Sequence, residues 1–382
     1  LPSQVGTLQV AQPAIGTVSR QPQTTTSPSP TTNVPFNRLS RQMCIQGPTQ
    51  NGLSYGDLWT PILKPVGGYL QALNFTLVAD GGSGTGASAT PDGIFAAVQQ
   101  VLLRDPFGQP IFQADGFSWF LINLYSGQTG MLGYGNQPDD TPSFTDLSAD
   151  GEYRYKLVIP FQLDSSGYGS LASMNASSQP QLSVQFNVAG QVYATPPSAT
   201  TPGLNVRITE RYWGAPVDHP QIAPPDVGSS SQWSVAKAQS TVGSNSYQRI
   251  VLPRVGTFIH TLILVLRDAD NERIEAWPET DLTLWVDGVP FFIEPLIERR
   301  DIMYQQFGVV APDGVLVYSF RDSVQTAVSF ADTYDNLLPT TPATLLEIAG
   351  TFGSISSGPG TITAITGELY PVGGIPYNHL AG

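Results

Sequence analysis

From Phe36 onward, apolar and polar positions alternate with a period of two over much of the chain. Tyr153, Tyr155, Leu157, Ile159 and Phe161 alternate with Arg154, Lys156 and Val158; Leu182, Val184, Phe186 and Val188 with Ser183, Gln185 and Asn187; Leu204, Val206 and Ile208 with Asn205, Arg207 and Thr209. Such alternation marks strands that rest one face on a core. Leu282, Leu284 and Val286 run into Asp287-Gly288 and then residues 289–293, which predicts a hairpin. Long amphipathic helices are not evident. Short helical segments are expected at residues 171–177 and 94–103, the second of which fits a strand equally well. The reading is all-β, with short helices in loops.

Two composition shifts divide the chain. Residues 1–35 are rich in Gln, Thr, Ser and Pro, too polar to offset their own ordering entropy, and read as an extended arm with Val5, Leu8, Val10 and Ile15 as docking points. Residues 214–246 are rich in Pro, Gly and Ser and read as a linker. The blocks between, 36–213 and 247–382, each suit one β-sandwich with elaborated loops. No sequence repeat between them is found.

Composition narrows the function. A net charge of −13, with Lys64, Lys156 and Lys237 the only lysines, argues against a direct nucleic-acid grip, which needs clustered cations. Charged residues make up 12% of the chain, about half the usual share, which suggests a surface covered by partners. The single Cys44 excludes an intrachain disulfide and a cysteine-based zinc cluster, and is expected to be a small buried or half-buried residue. The longest apolar stretch, FIHTLILVL at 258–266, is far short of a membrane span and is broken by His260 and Thr261. No signal peptide is visible in the sequence, which starts at Leu1.

Candidate chemistry is sparse. His219, His260 and His379 lie far apart without metal-ligand spacing. GGSGTGAS at 81–88, containing Gly82, Gly84 and Gly86, imitates a dinucleotide fingerprint, but Pro91, Asp92 and Gly93 intervene before any helix, so a flexible loop tip is expected. Asp268, Asp270, Glu272 and Glu279 imitate a calcium loop, yet Arg273 stands where the sharp turn needs Gly, and Ala276 and Trp277 are poor loop residues; a solvated turn is expected. Asp139 and Asp140, with Asp146 and Asp150, offer a glycosidase-like carboxylate pair in what reads as an exposed loop. Asn74-Phe-Thr76 and Asn175-Ala-Ser177 match glycosylation sequons. The tryptophans at 59, 119, 213, 233, 277 and 285 have no sugar-platform spacing and read as core or interface anchors. No catalytic, cofactor-binding or metal residue is assigned.

Three stretches carry a resemblance. IPFQLDSSGYGSLASMNASSQPQLSVQFN has Ile159-Pro160, then small residues from Gly167 to Met174, then Leu182 to Asn187. VQQVLLRDPFGQPIFQADGFSWFLIN at 98–123 carries Val98, Gln99, Val101, Asp105, Pro106, Gln109 and Gly116 in order. APDGVLVYSFRDSVQTAVSF occupies 311–330. Together they resemble the double jelly-roll major capsid proteins of tailless, membrane-containing icosahedral viruses, the tectivirus group especially. There the first is an apolar-Pro strand end, small-residue turn and re-entrant strand, the second a strand, Asp-Pro turn and strand, and the third a Pro-x-Gly-Val strand with a following Asp. Few lysines, the 214–246 stretch and an arm without an evident helix depart from the pattern.

The resemblance implies two eight-stranded jelly-roll sandwiches side by side. It implies a homotrimer forming a pseudo-hexagonal capsomer of a virion shell, assembled in the host cytoplasm. The implied partners are neighbouring capsomers, minor capsid and vertex proteins, and the internal viral membrane through the N-terminal arm; no cofactor is implied. The alternatives from the residues are a two-sandwich receptor- or carbohydrate-binding protein and a glycosidase using Asp139 and Asp140.

Overall fold

The computed structural model describes residues 36–106, 108–126, 147–162, 167, 169–173, 179–216, 222–224, 229–253, 258–320, 337–340 and 344–371. The arm 1–35, Asp139, Asp140, Asp146, the Asn175 sequon, His219 and His379 lie outside them.

Among the described residues sixteen strands build two sandwiches. The first contains β1 (Gln42–Leu53), β2 (Leu58–Trp59), β3 (Gly68–Asp80), β4 (Val98–Arg104), β5 (Pro110–Ala114), β6 (Tyr153–Pro160), β7 (Gln181–Phe186) and β8 (Gly203–Gly214). The second contains β9 (Ser229–Lys237), β10 (Ser246–Val251), β11 (Phe258–Arg267), β12 (Leu282–Val286), β13 (Val289–Glu294), β14 (Val315–Ser319), β15 (Leu346–Phe352) and β16 (Thr361–Pro371). In the first, the sheets run β1-β8-β3-β6 and β2-β7-β4-β5; in the second, β9-β16-β11-β14 and β10-β15-β12-β13. Adding eight to each strand of the first gives the second, so one jelly-roll topology occurs twice. The chain is a double jelly roll.

The predicted alternation is observed within the strands, whereas Val188 lies beyond the end of β7 and is exposed. In β7 the buried residues are Leu182, Val184 and Phe186, and in β8 Leu204, Val206 and Ile208. Asp287 and Gly288 both take positive φ (+51° and +77°), the turn geometry that lets β12 and β13 twist together. β11 is the apolar run FIHTLILVLR, and it is a central strand almost wholly buried on both faces.

Among the described residues four α-helices lie in the connections, α1 (Phe36–Leu39), α2 (Gly116–Tyr125), α3 (Ala189–Val192) and α4 (Leu296–Phe307), with a 3-10 helix at Gly93–Ala97. Three expectations need correction. Residues 171–173 form a short strand, not a helix; they pair with Gly68–Leu70 of β3, giving that strand a partner beyond the end of β6. The 98–123 stretch is strand only to Ala114, because Asp115 accepts the Ser118 N–H (2.8 Å) as N-cap and opens α2. The stretch 214–246 is not all linker: Ser229–Lys237 is β9, paired with β16 along its length.

α2 is apolar almost all round, as a helix buried on every side must be. It covers the free edge of β6. The Val158 peptide is held by Asn123, whose Nδ2 donates to the carbonyl (2.7 Å) and whose Oδ1 accepts the N–H (2.6 Å). Trp119 Nε1 donates to the same carbonyl (2.8 Å). Asn123 thus stands in for a neighbouring strand. Asn123→Leu is expected to lower stability by about 2 kcal/mol, the cost of stranding a buried peptide group, read as a shifted denaturant midpoint.

Candidate functional site: an assembly surface

The positions that suggested chemistry prove to be structural. Asp268 closes its own turn: its Oδ1 accepts the N–H groups of Asp270 (3.0 Å) and Glu272 (2.9 Å), so this carboxylate faces backbone donors. Asp268 itself is buried, while residues 269–272 are exposed, as a solvated turn expects. Among the described residues no cluster of three or more His, Cys, Asp or Glu is placed to hold a metal. The 81–88 loop is tied rather than a free tip. The N–H groups of Gly81, Ser83, Thr85 and Ala87 donate to Glu152, Thr200, Ser198 and Ala149, so those donors are already committed to protein acceptors. A two-residue strand, not a helix, follows at Ser88–Ala89.

Asp150 is half-buried, and a hydrogen bond from the Ser148 hydroxyl holds its carboxyl below the usual range, opposite to the need of a general acid. His260 is fully buried against Trp233, with ring centroids 5.0 Å apart. This packing needs Gly367, where a Cβ would lie 2.3 Å from the imidazole. Thr76 of the Asn74 sequon is buried in the middle of β3. Five of the six tryptophans are buried, all but Trp285. Cys44 is exposed, because β1 is an edge strand; the expectation of burial is corrected. Among the described residues no helix is long and apolar enough to cross a membrane.

What the geometry does build is a junction between the sandwiches. β5 and β9 meet in parallel at Phe112 and Trp233, which fuses the two sheets into one of nine strands. Beside this seam, Asp92 of the first sandwich binds two arginines of the second: Arg267 Nη1 at 3.0 Å and Arg273 Nε at 3.3 Å. Both guanidinium groups also lie on the ring of Phe117, at 5.1 and 4.9 Å. Burial pushes the Arg273 guanidinium down from its usual value, and Asp92 opposes that shift. Tyr125 of α2 meets Phe307 of α4 edge-on, 5.1 Å between centroids. The clamp was not legible, since nothing in the sequence links Asp92 to residues 175 and 181 positions away.

A second feature is a set of exposed apolar residues on β13, on α4 and just after it. Val289, Phe291 and Ile293 on β13, Ile297 and Tyr304 on α4, and Val310 are each half exposed or more. α4 was missed because its outer face mixes these residues with Glu298 and Asp301, which blurs the helical period. Its inner side is anchored by Arg299, whose Nε donates to Glu294 (2.5 Å) and whose guanidinium sits 4.5 Å from the Tyr318 ring centre.

In the first sandwich, Glu210 of β8 is fully buried, and burial raises its carboxyl above the usual range, against the N–H and charge of Lys64.

No family model matches the chain, and no curated protein matches it significantly. Among solved structures it is similar to the STIV MCP, with a TM-score of 0.63 at 14% identity over 90% of this chain and 99% of that one. It is similar to the major capsid protein from bacteriophage PM2, with a TM-score of 0.52 at 13% identity over 88% and 100%. It is also similar to the Faustovirus major capsid protein, with a TM-score of 0.54 at 9% identity over 87% and 90%. At such identities the shared property is the fold.

Three outcomes are expected. Asp92→Ala leaves two largely buried guanidinium groups without their carboxylate and lowers stability by about 3 kcal/mol. Asp150→Asn keeps an oxygen that accepts the Ser148 hydroxyl, so the unfolding midpoint moves little. For Glu210 the folded value lies above the unfolded one, so its stabilising contribution is present at acid pH and lost as pH rises through the raised value. The melting temperature of Glu210→Gln relative to the parent therefore rises between about pH 4 and about pH 7.

Proposed function

We propose that the chain is the repeating subunit of an icosahedral virion shell, a non-enzymatic major capsid protein whose trimers form pseudo-hexagonal tiles. The observation that carries this reading is the whole-length likeness to capsid proteins: both sandwiches and their connection are matched together, which a chance likeness to one sandwich would not give.

The physical features fit. A tile needs its two halves held at a fixed angle, and the shared sheet with the Asp92 clamp does that. It needs surface for neighbours, and the β13–α4 face presents it. Its partners in this reading are two further copies, adjacent tiles, and minor capsid and vertex proteins. The internal viral membrane is a further partner in this reading, through the N-terminal arm 1–35. The domain division is then 1–35 arm, first jelly roll from residue 36 to 214, a connection, and second jelly roll from residue 229 onward.

Light scattering on a sizing column tests the assembly. Three copies of 40.9 kDa give a particle of roughly 123 kDa. A monomer that persists across concentration and salt would overturn the reading.

A further inference from the structure

The junction inside the chain predicts the junction between chains. The two strands that follow the tightest hairpins carry the same motif. Gly108-Gln109-Pro110-Ile111-Phe112 leads β5, and Gly288-Val289-Pro290-Phe291-Phe292 leads β13. Both glycines take positive φ, +88° and +77°. The pairing repeats as well: Leu103 faces Phe112 and Arg104 faces Pro110, while Leu284 faces Phe292 and Trp285 faces Pro290, with a bulge at the same place. A helix follows each strand directly, α2 after β5 and α4 after β13.

The surroundings of the two copies differ. β5 has β9 beside it, and its bulge residue Ile111 is 1% exposed. Among the described residues β13 is the last strand of its sheet, and the equivalent Phe291 is 50% exposed. The strand equivalent to β9 in the first sandwich is β1, which is likewise a sheet edge. One sandwich thus lacks the partner that the other has, and each lacks it on a complementary edge.

We infer that β13 of one copy sits beside β1 of the next, in parallel, as β5 sits beside β9 within a copy. This rests on the tile reading above and specifies its contact. The contact is head-to-tail, so it leaves no unused edge only when the copies close into a ring. Pro290 and the bulge limit ladder bonds, as Pro110 and its bulge do at the internal seam, so apolar packing of Phe291 and Ile293 carries the contact. Charge agrees. β1 has no acidic or basic side chain and is flanked by exposed Arg38, Arg41 and Arg207; β13 is flanked by exposed Asp287, Glu298 and Asp301.

The register can be placed. Trp233 faces Gly367, which faces Thr261 of β11. Thr261 is three residues from the start of β11 and six from its end, and the same offsets in β3 fall at Gln71 and Asn74. In the first sandwich Ala72 connects through Arg211 to Cys44, and Asn74 through Thr209 to Gln46. Phe292 of one copy therefore meets the β1 segment around Cys44 of the next.

The native Cys44 makes this testable. In Ile293→Cys, with Val289→Cys as a second variant, a short bis-maleimide is applied to protein whose trimeric mass has been verified by light scattering. The expected result is a denaturing-gel ladder that stops at three linked copies, absent in the parent and in Cys44→Ser/Ile293→Cys. Trimers of both variants that fail to link overturn the edge pairing while leaving the tile reading intact. Linked parent protein shows two β1 edges meeting and overturns it too. A variant and parent that are both monomeric remove the tile reading itself and this inference with it.

Discussion

The free edge of a β-sheet is the constraint around which this molecule is organised. Each edge strand exposes peptide groups and invites pairing, so every edge must be covered, blunted or used. All three solutions occur here. β6 is covered by α2, whose Asn123 and Trp119 bind the Val158 peptide as a strand would. β5 is used internally, against β9. β13 is blunted by Pro290 and a bulge yet keeps an apolar face. The internal seam allows two sandwiches to act as one body, and it depends on small details such as Gly367, which admits His260 beside Trp233.

The seam also explains where charge is placed. A chain with few ionic groups puts Asp92, Arg267 and Arg273 together at the sandwich junction, where their desolvation is offset by pairing and by the face of Phe117. The loop end of the first sandwich is held differently, by backbone hydrogen bonds among the 81–88, 147–152 and 198–200 loops and by the Tyr55 hydroxyl, which hydrogen-bonds those of Tyr153 and Tyr193 at 2.9 Å each. These arrangements give rigidity and shape.

Much of this was legible in the sequence. The alternation at 153–161, 182–188 and 204–209 located three strands, and Asp287-Gly288 located a hairpin, because period and turn chemistry are local. The small-residue stretch after Pro160 was harder: residues 171–173 became a strand because β3 offered them a partner, a non-local cause that overrides weak helical preference. β9 hid inside a Ser-rich stretch because its hydroxyl residues serve a paired strand as well as a linker. The Gly-x-Pro-x-Phe repeat went unseen because it is five residues long, and only the matching bulges reveal that it is structural. Cys44 was expected inside because cysteine usually is; its place on an edge strand decided otherwise.

In the proposed assembly six sandwiches from three chains close into one ring. Class averages of the purified particle by electron microscopy, viewed down its axis, test it most directly. The account predicts a hexagonal outline with six lobes of similar size around a centre. Open chains of lobes, or particles with two lobes only, would contradict it.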